Sequence, residues 1–175
     1  MKGKGDSTPL TDQTRITSVA GDISLTGQGG AHSSNGTSQN HGIRLTNRAL
    51  IRSTGTIASE GHAAGITLDG TGANANANNH GILLNGLGTR ISSVDGDIAL
   101  TGQGGSNGTN GSGLNTGIML RESAAVTSTG ATGDAGTITL DGTGGAGFNK
   151  NHGVFINGKG GGTPEADETR IASVA

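Results

Sequence analysis

The 175 residues are enough for one domain, yet 36 are glycine and Leu, Ile, Val and Phe together number only 32. With no cysteine, neither a disulfide framework nor a thiolate metal site can form. A formal net charge of −2, with 14% charged residues, excludes the basic footprint of a nucleic-acid binder and the polybasic patch of a membrane-surface protein. So few apolar residues would suit a disordered chain, but disorder also asks for high net charge, and here the apolar residues recur at regular positions. The chain is expected to be ordered. No apolar run approaches the roughly 18 residues of a membrane span. The N-terminus, MKGKGDSTPL, has no apolar signal-peptide segment, so an export signal is expected outside this chain.

Three kinds of short apolar segment follow one another along the chain. Ile16-Thr17-Ser18, Ile23-Ser24-Leu25 and Ile43-Arg44-Leu45 come first; Ile51-Arg52-Ser53, Ile66-Thr67-Leu68 and Ile82-Leu83-Leu84 repeat them. Ile91-Ser92-Ser93, Ile98-Ala99-Leu100 and Ile118-Met119-Leu120 follow, then Val126-Thr127-Ser128, Ile138-Thr139-Leu140 and Val154-Phe155-Ile156. Ile171-Ala172-Ser173 opens a fifth round. Each segment has apolar or small residues at i and i+2, the period of a strand with one buried face. Gly, Asn, Ser and Asp separate the segments, as turns require. No window has a helical period.

Longer repeats enclose these segments. Residues 14–20 read TRITSVA, 89–94 read TRISSV and 169–175 read TRIASVA; 21–30 read GDISLTGQGG and 96–105 read GDIALTGQGG. Residues 3–20 align without gaps on 158–175, with 12 of 18 positions identical at an offset of 155. Residues 3–157 therefore read as one complete unit of two half-repeats with a boundary near 77–88, and 158–175 as the start of the next. The chain is expected to be part of a longer array.

Segments resemble their own kind more than the other kinds, so each kind is expected to stack on itself once per coil. The expected fold is all-β, a parallel β-helix (β-solenoid) of about four three-stranded coils of 35–45 residues plus the start of a fifth. At about 4.8 Å per coil, one unit would advance roughly 19 Å along the axis. The rival reading makes each strong segment a smaller coil of its own.

Stacking turns each interior position into a ladder. Ile16, Ile51, Ile91, Val126 and Ile171 form an apolar one, and Ser18, Ser53, Ser93, Ser128 and Ser173 follow two residues later. A serine column either bonds from hydroxyl to hydroxyl or backbone, or marks a corner. Asn40, Asn79, Asn115 and Asn151 each stand three residues before the third kind of segment, where stacked amides can pass hydrogen bonds between coils while closing a turn. His41, His80 and His152 come next, interrupted by Thr116, and read as exposed turn residues stacked on their neighbours; a shared metal ion is the alternative. Asp22 and Asp97 alternate between coils with Asp69 and Asp141. Without the G-G-x-G-x-D spacing of calcium β-rolls, Asp69 and Asp141 are candidates only for a weak calcium site, and no other cofactor is expected.

The TRI–S–V–GDI–LTGQGG and NHGI–L motifs resemble the repeat regions of filamentous-haemagglutinin-like adhesins and giant bacterial surface proteins, over residues 14–175. That resemblance implies a right-handed parallel β-helix, secretion across a Gram-negative envelope and a role as stalk or adhesive fibre, although the family's N-terminal secretion domain has no counterpart here. The expected function is a non-enzymatic structural repeat segment of an extracellular or cell-surface fibre, stalk or adhesin. Its partners would be further copies of the repeat and a glycan or host surface.

Two other readings are weighed. A β-helix polysaccharide lyase or hydrolase needs two or more converging carboxylates, but the glutamates are only Glu60, Glu122, Glu165 and Glu168, and there is no Trp or Tyr. A ligand-binding or ice-binding face would use outward Thr67 and Thr139, which Ser24 and Ala99 interrupt. Recognition would otherwise fall to the polar loops 28–40, 103–115 and 142–151. Asn35, Asn107 and Asn110 fit the glycosylation pattern.

Overall fold

A computed structural model of the chain describes residues 1–2, 13–30, 39–57, 63–75, 77–106, 113–130, 135–147, 149–158 and 168–174. Its strands form three parallel sheets. The first face holds Arg15–Ser18 (β1), Leu50–Ser53 (β4), Arg90–Val94 (β7), Ala125–Thr129 (β10) and Arg170–Val174 (β13). The second holds Ile23–Gln28 (β2), Ile66–Thr71 (β5), Ile98–Gln103 (β8) and Ile138–Thr143 (β11). The third holds Ile43–Thr46 (β3), Ile82–Asn85 (β6), Ile118–Arg121 (β9) and Val154–Asn157 (β12). Each strand pairs only with strands of its own kind. The result is a parallel β-solenoid whose first twelve strands make four coils, with β13 laid on β10 as the first strand of a fifth. The smaller-coil alternative falls, because β1 meets β4 and not β2.

Pairing places like on like. Ile16, Ile51, Ile91, Val126 and Ile171 lie side by side along the first face. Ile23, Ile66, Ile98 and Ile138 do so on the second, with Leu25, Leu68, Leu100 and Leu140 two residues later. On the third, Ile43, Ile82, Ile118 and Val154 form the column. These side chains point inward and fill the core. In the two middle coils it is sealed: Ile51, Ile91, Leu68, Leu84 and Leu120 are fully buried. At the ends it opens. Ile16, Leu25 and Ile171 are only partly buried, and Val154 and Ile156 are 39% and 48% exposed.

Second-face strands run six residues, longer than their Ile-x-Leu cores, because each continues through a glycine. That glycine is a steric requirement. A Cβ on Gly70 would lie 2.3 Å from Gly81 O, and one on Gly81 would lie 2.4 Å from Gln103 N. Gly27 against Gly42, Gly102 against Gly117 and Gly142 against Gly153 repeat the crossing. The chain thus turns from second to third face with backbone against backbone, which explains part of the high glycine content.

Two substitutions separate these effects. Gly70→Ala must push backbone aside and should destabilise by about 1–3 kcal/mol, whereas Gly30→Ala, whose Cβ would meet nothing within 4 Å, should leave stability unchanged. Leu100→Ala in the sealed core should cost about 2–5 kcal/mol, and half-exposed Ile156→Ala clearly less. Denaturant unfolding of the four variants measures all of these.

Candidate functional site

The most organised polar structure is the corner that leads into the third face. Asn40, Asn79, Asn115 and Asn151 stack there. Asn40 N–H donates to Asn79 Oδ1, Asn79 N–H to Asn115 Oδ1 and Asn115 N–H to Asn151 Oδ1, each at 3.1 Å. The amide nitrogens are used unevenly: Asn79 Nδ2 donates to Ala75 O of its own coil at 2.9 Å, Asn115 Nδ2 to Ala146 O of the next coil at 3.3 Å, and Asn40 Nδ2 has no partner among the described residues. Asparagine suits this place because one short side chain both accepts and donates. Asn79 and Asn115 are fully buried, so a residue lacking either atom would strand a backbone group out of reach of water.

The neighbouring column runs in the opposite sense. His80 N–H donates back to His41 Nδ1, and Thr116 N–H donates back to His80 Nδ1, both at 3.2 Å. The corner is therefore tied in both directions along the axis. The two imidazoles stack at 5.0 Å between centroids, 4° from parallel. His80 is only 3% exposed, which corrects its reading as an exposed turn residue: the coils on either side cover it. His152, on the last complete coil, is exposed and stacks instead on Phe155 at 4.9 Å.

Burial shapes the protonation of this pair. It is the main cause that lowers the His41 pKa to about 3, with the nearby charges of His80, Arg44 and Arg121 adding to it. Burial, then Arg121, lowers His80 to about 4. Each Nδ1 accepts a hydrogen bond, so the ring proton sits on Nε2 and the neutral form is the one built in. These are structural histidines by geometry. Among the described residues no group of three His, Cys, Asp or Glu side chains is placed to hold a metal ion.

The described aspartates divide into two sets. Asp22 Oδ1 accepts from Gly65 N at 2.8 Å and Asp97 Oδ1 from Thr137 N at 2.7 Å, each clamping the next coil. Asp95, buried with φ of 59°, accepts from Ile57 N at 3.2 Å. With Thr67 and Ala99 these three acids line a cleft of about 500 Å³ at the corner between the first and second faces. Asp69 and Asp141 are exposed on the second face with Thr101 between them. Two rungs, roughly 10 Å, separate them, too far for one calcium ion with ligands at about 2.3–2.6 Å. The structure does not bring these two together.

The remaining candidates are scattered. Glu122 is exposed beside Arg121 at 3.9 Å, and Glu168 is exposed. Glu60, Glu165, Asn35, Asn107 and Asn110 lie outside the described residues, as do parts of all three polar loops. Thr67 and Thr139 face outward in one column with Ser24 and Ala99. The inner serine column is tied unevenly. Ser93 Oγ donates to Gly96 O and lies 3.3 Å from Ser128 Oγ, and Ser173 Oγ reaches Gly136 O at 2.9 Å, whereas buried Ser53 Oγ has no partner. No helix among the described residues is long and apolar enough to cross a membrane.

One contact escaped the sequence reading, which began the repeat unit at residue 3. Met1 and Lys2 lie along β3 at the open first coil. Lys2 bridges Thr46 in parallel, Thr46 N–H donates to Met1 O at 3.1 Å, and the Met1 amine donates to Arg44 O. At the offset of 155, Met1 and Lys2 correspond to Ile156 and Asn157, the last two residues of β12. The corner bond repeats as well: Thr14 Oγ1 donates to Lys2 O and Thr169 Oγ1 to Asn157 O, both at 3.0 Å. The signal lay in the offset itself, carried two residues further back than sequence identity extends.

Set against protein-family models, curated proteins and solved structures, the chain finds no match.

The histidine corner predicts a pH dependence of stability. Unfolded histidine titrates near 6.5, above both folded values, so below that pH the unfolded chain takes up protons that the folded one refuses. Stability should be full above about pH 6.5 and fall as the pH drops toward about 4. His80→Thr, which places at this corner the residue found at Thr116, should flatten that fall. Melting temperatures of both proteins across the range check it; equal slopes would contradict it.

Proposed function

We propose that the chain is a structural repeat segment of an extracellular or cell-surface fibre, stalk or adhesin, in which 155-residue units continue one another along a single solenoid axis. The observation that carries this reading is the seat of Met1 and Lys2. They occupy on β3 the place that Ile156 and Asn157 of a preceding unit would take, with the same parallel pairing and the same threonine bond at the corner. The other end supports it. Residues 170–174 correspond to 15–19, and β13 already sits on β10 in full register, as β1 of a following unit would.

The apolar surface left at the two ends fits the same account. Ile16 and Leu25 at one end, and Val154 and Ile156 at the other, belong to columns that are sealed inside the stack. Another coil of the same kind would bury them, and solenoids without one need a cap. Repetition also suits a rod better than a catalyst, since copying a unit adds length while a reaction needs one site. Placement outside the cell rests on the resemblance of the repeat motifs to adhesin repeats. In that setting the exposed faces and polar loops would meet a glycan or host surface.

Chains of one, two and three units, imaged as single particles, test the reading. Each added unit should lengthen the rod by about 19 Å at constant width. Separate beads on a linker, or compact particles of no fixed axis, would overturn it.

A further inference from the structure

Two faces of the solenoid carry opposite charge. The five strands of the first face contain four arginines and no acidic residue; the four strands of the second contain two aspartates and no basic residue. Register gives both sets the same period. Arg15, Arg90 and Arg170 share one column, with Leu50 and Ala125 on the rungs between them. Asp69 and Asp141 share another, with Thr26 and Thr101 on the alternate rungs. Like charges thus recur on every second rung of each of these columns, roughly 10 Å apart. All five side chains are exposed, and none forms an ion pair or side-chain hydrogen bond with another described residue. Arg52 adds a charge beside the arginine column, over a shallow groove of about 250 Å³ that it lines with Arg90, Ser92 and Thr127.

We propose that the first face of one solenoid docks on the second face of another copy, arginine row against aspartate row, so that the rods associate side by side. Stacking identical residues along an axis sets each row against itself, since neighbouring charges have the same sign and no local partner. An opposing row with the same rung repeat can set both aspartates against arginines at once. A second copy has that repeat built in. The two docking faces differ, so the contact is heterologous and can propagate from rod to rod. It is also independent of the axial continuation proposed above: axial growth adds length and lateral docking adds width.

The test is the mean mass of the unaltered protein, by light scattering, between about 0.01 M salt, where the screening length is about 30 Å, and about 1 M, where it is about 3 Å. We expect at least about a doubling of mass at low salt, reversed at high salt, as an electrostatic contact requires, with images showing thicker rods. The variant with Arg15→Glu, Arg90→Glu and Arg170→Glu should stay single at low salt, and so should the variant with Asp69→Lys and Asp141→Lys. Mixed together, they present complementary faces again and should associate. A mass indifferent to salt in the unaltered protein, or variants that associate alone as well as when mixed, would overturn the proposal. So would thickening only on addition of a sulfated polysaccharide, which would make the arginine face a polyanion site instead.

Discussion

Parallel pairing in unbroken register obliges every residue to sit on its counterpart one coil away, and each feature of this chain answers to that constraint. A position that suits stacking is rewarded on every rung. A position that does not is penalised on every rung. Isoleucine and leucine suit the interior because a column of them packs without gaps and presents no polar atom. Asparagine suits the corner because its oxygen can take the backbone N–H of one coil while its nitrogen serves a local carbonyl. Glycine suits the crossing of the second and third faces because the neighbouring strand leaves no space for a Cβ.

This explains how a chain with 30% hydrophobic residues, one aromatic in a hundred and no disulfide can order itself. Its core is narrow but continuous, and the described backbone groups between strands are paired from coil to coil. The corner ladders reinforce the stack by running in opposite senses. Asparagine ties each coil to the next, and histidine ties the second and third coils back to the one before. Cohesion is thus distributed along an axis, with no single pocket on which the fold depends. The same constraint leaves apolar side chains open at the end coils and like charges in rows on the outer faces.

Much of this was legible because the constraint writes itself into spacing. Ile16, Ile51, Ile91, Val126 and Ile171 recur at intervals near one coil, and three distinct kinds of segment imply three faces. The asparagine positions were equally plain. What stayed hidden depends on neighbours remote in sequence. His80 follows a polar turn, and only the coils 36 and 39 residues away, through Thr116 and His41, cover it. The buried, left-handed Asp95 answers to Ile57 on another coil. Met1 and Lys2 share no identity with Ile156 and Asn157, so their common place emerges only once β3 shows what it pairs with. Alternating charge on the outer faces is visible in the sequence, but its common two-rung period appears only when register is known.

The central claim is that rung lies on rung, and one distance tests it most directly. Thr17 and Ala172 are 155 residues apart in sequence and share one outer column, through Arg52, Ser92 and Thr127. The chain has no native cysteine, so Thr17→Cys and Ala172→Cys can carry the only two spin labels. Four rungs should separate them, giving a narrow distribution centred near about 19 Å. A broad distribution, or a centre far from that value, would contradict the account.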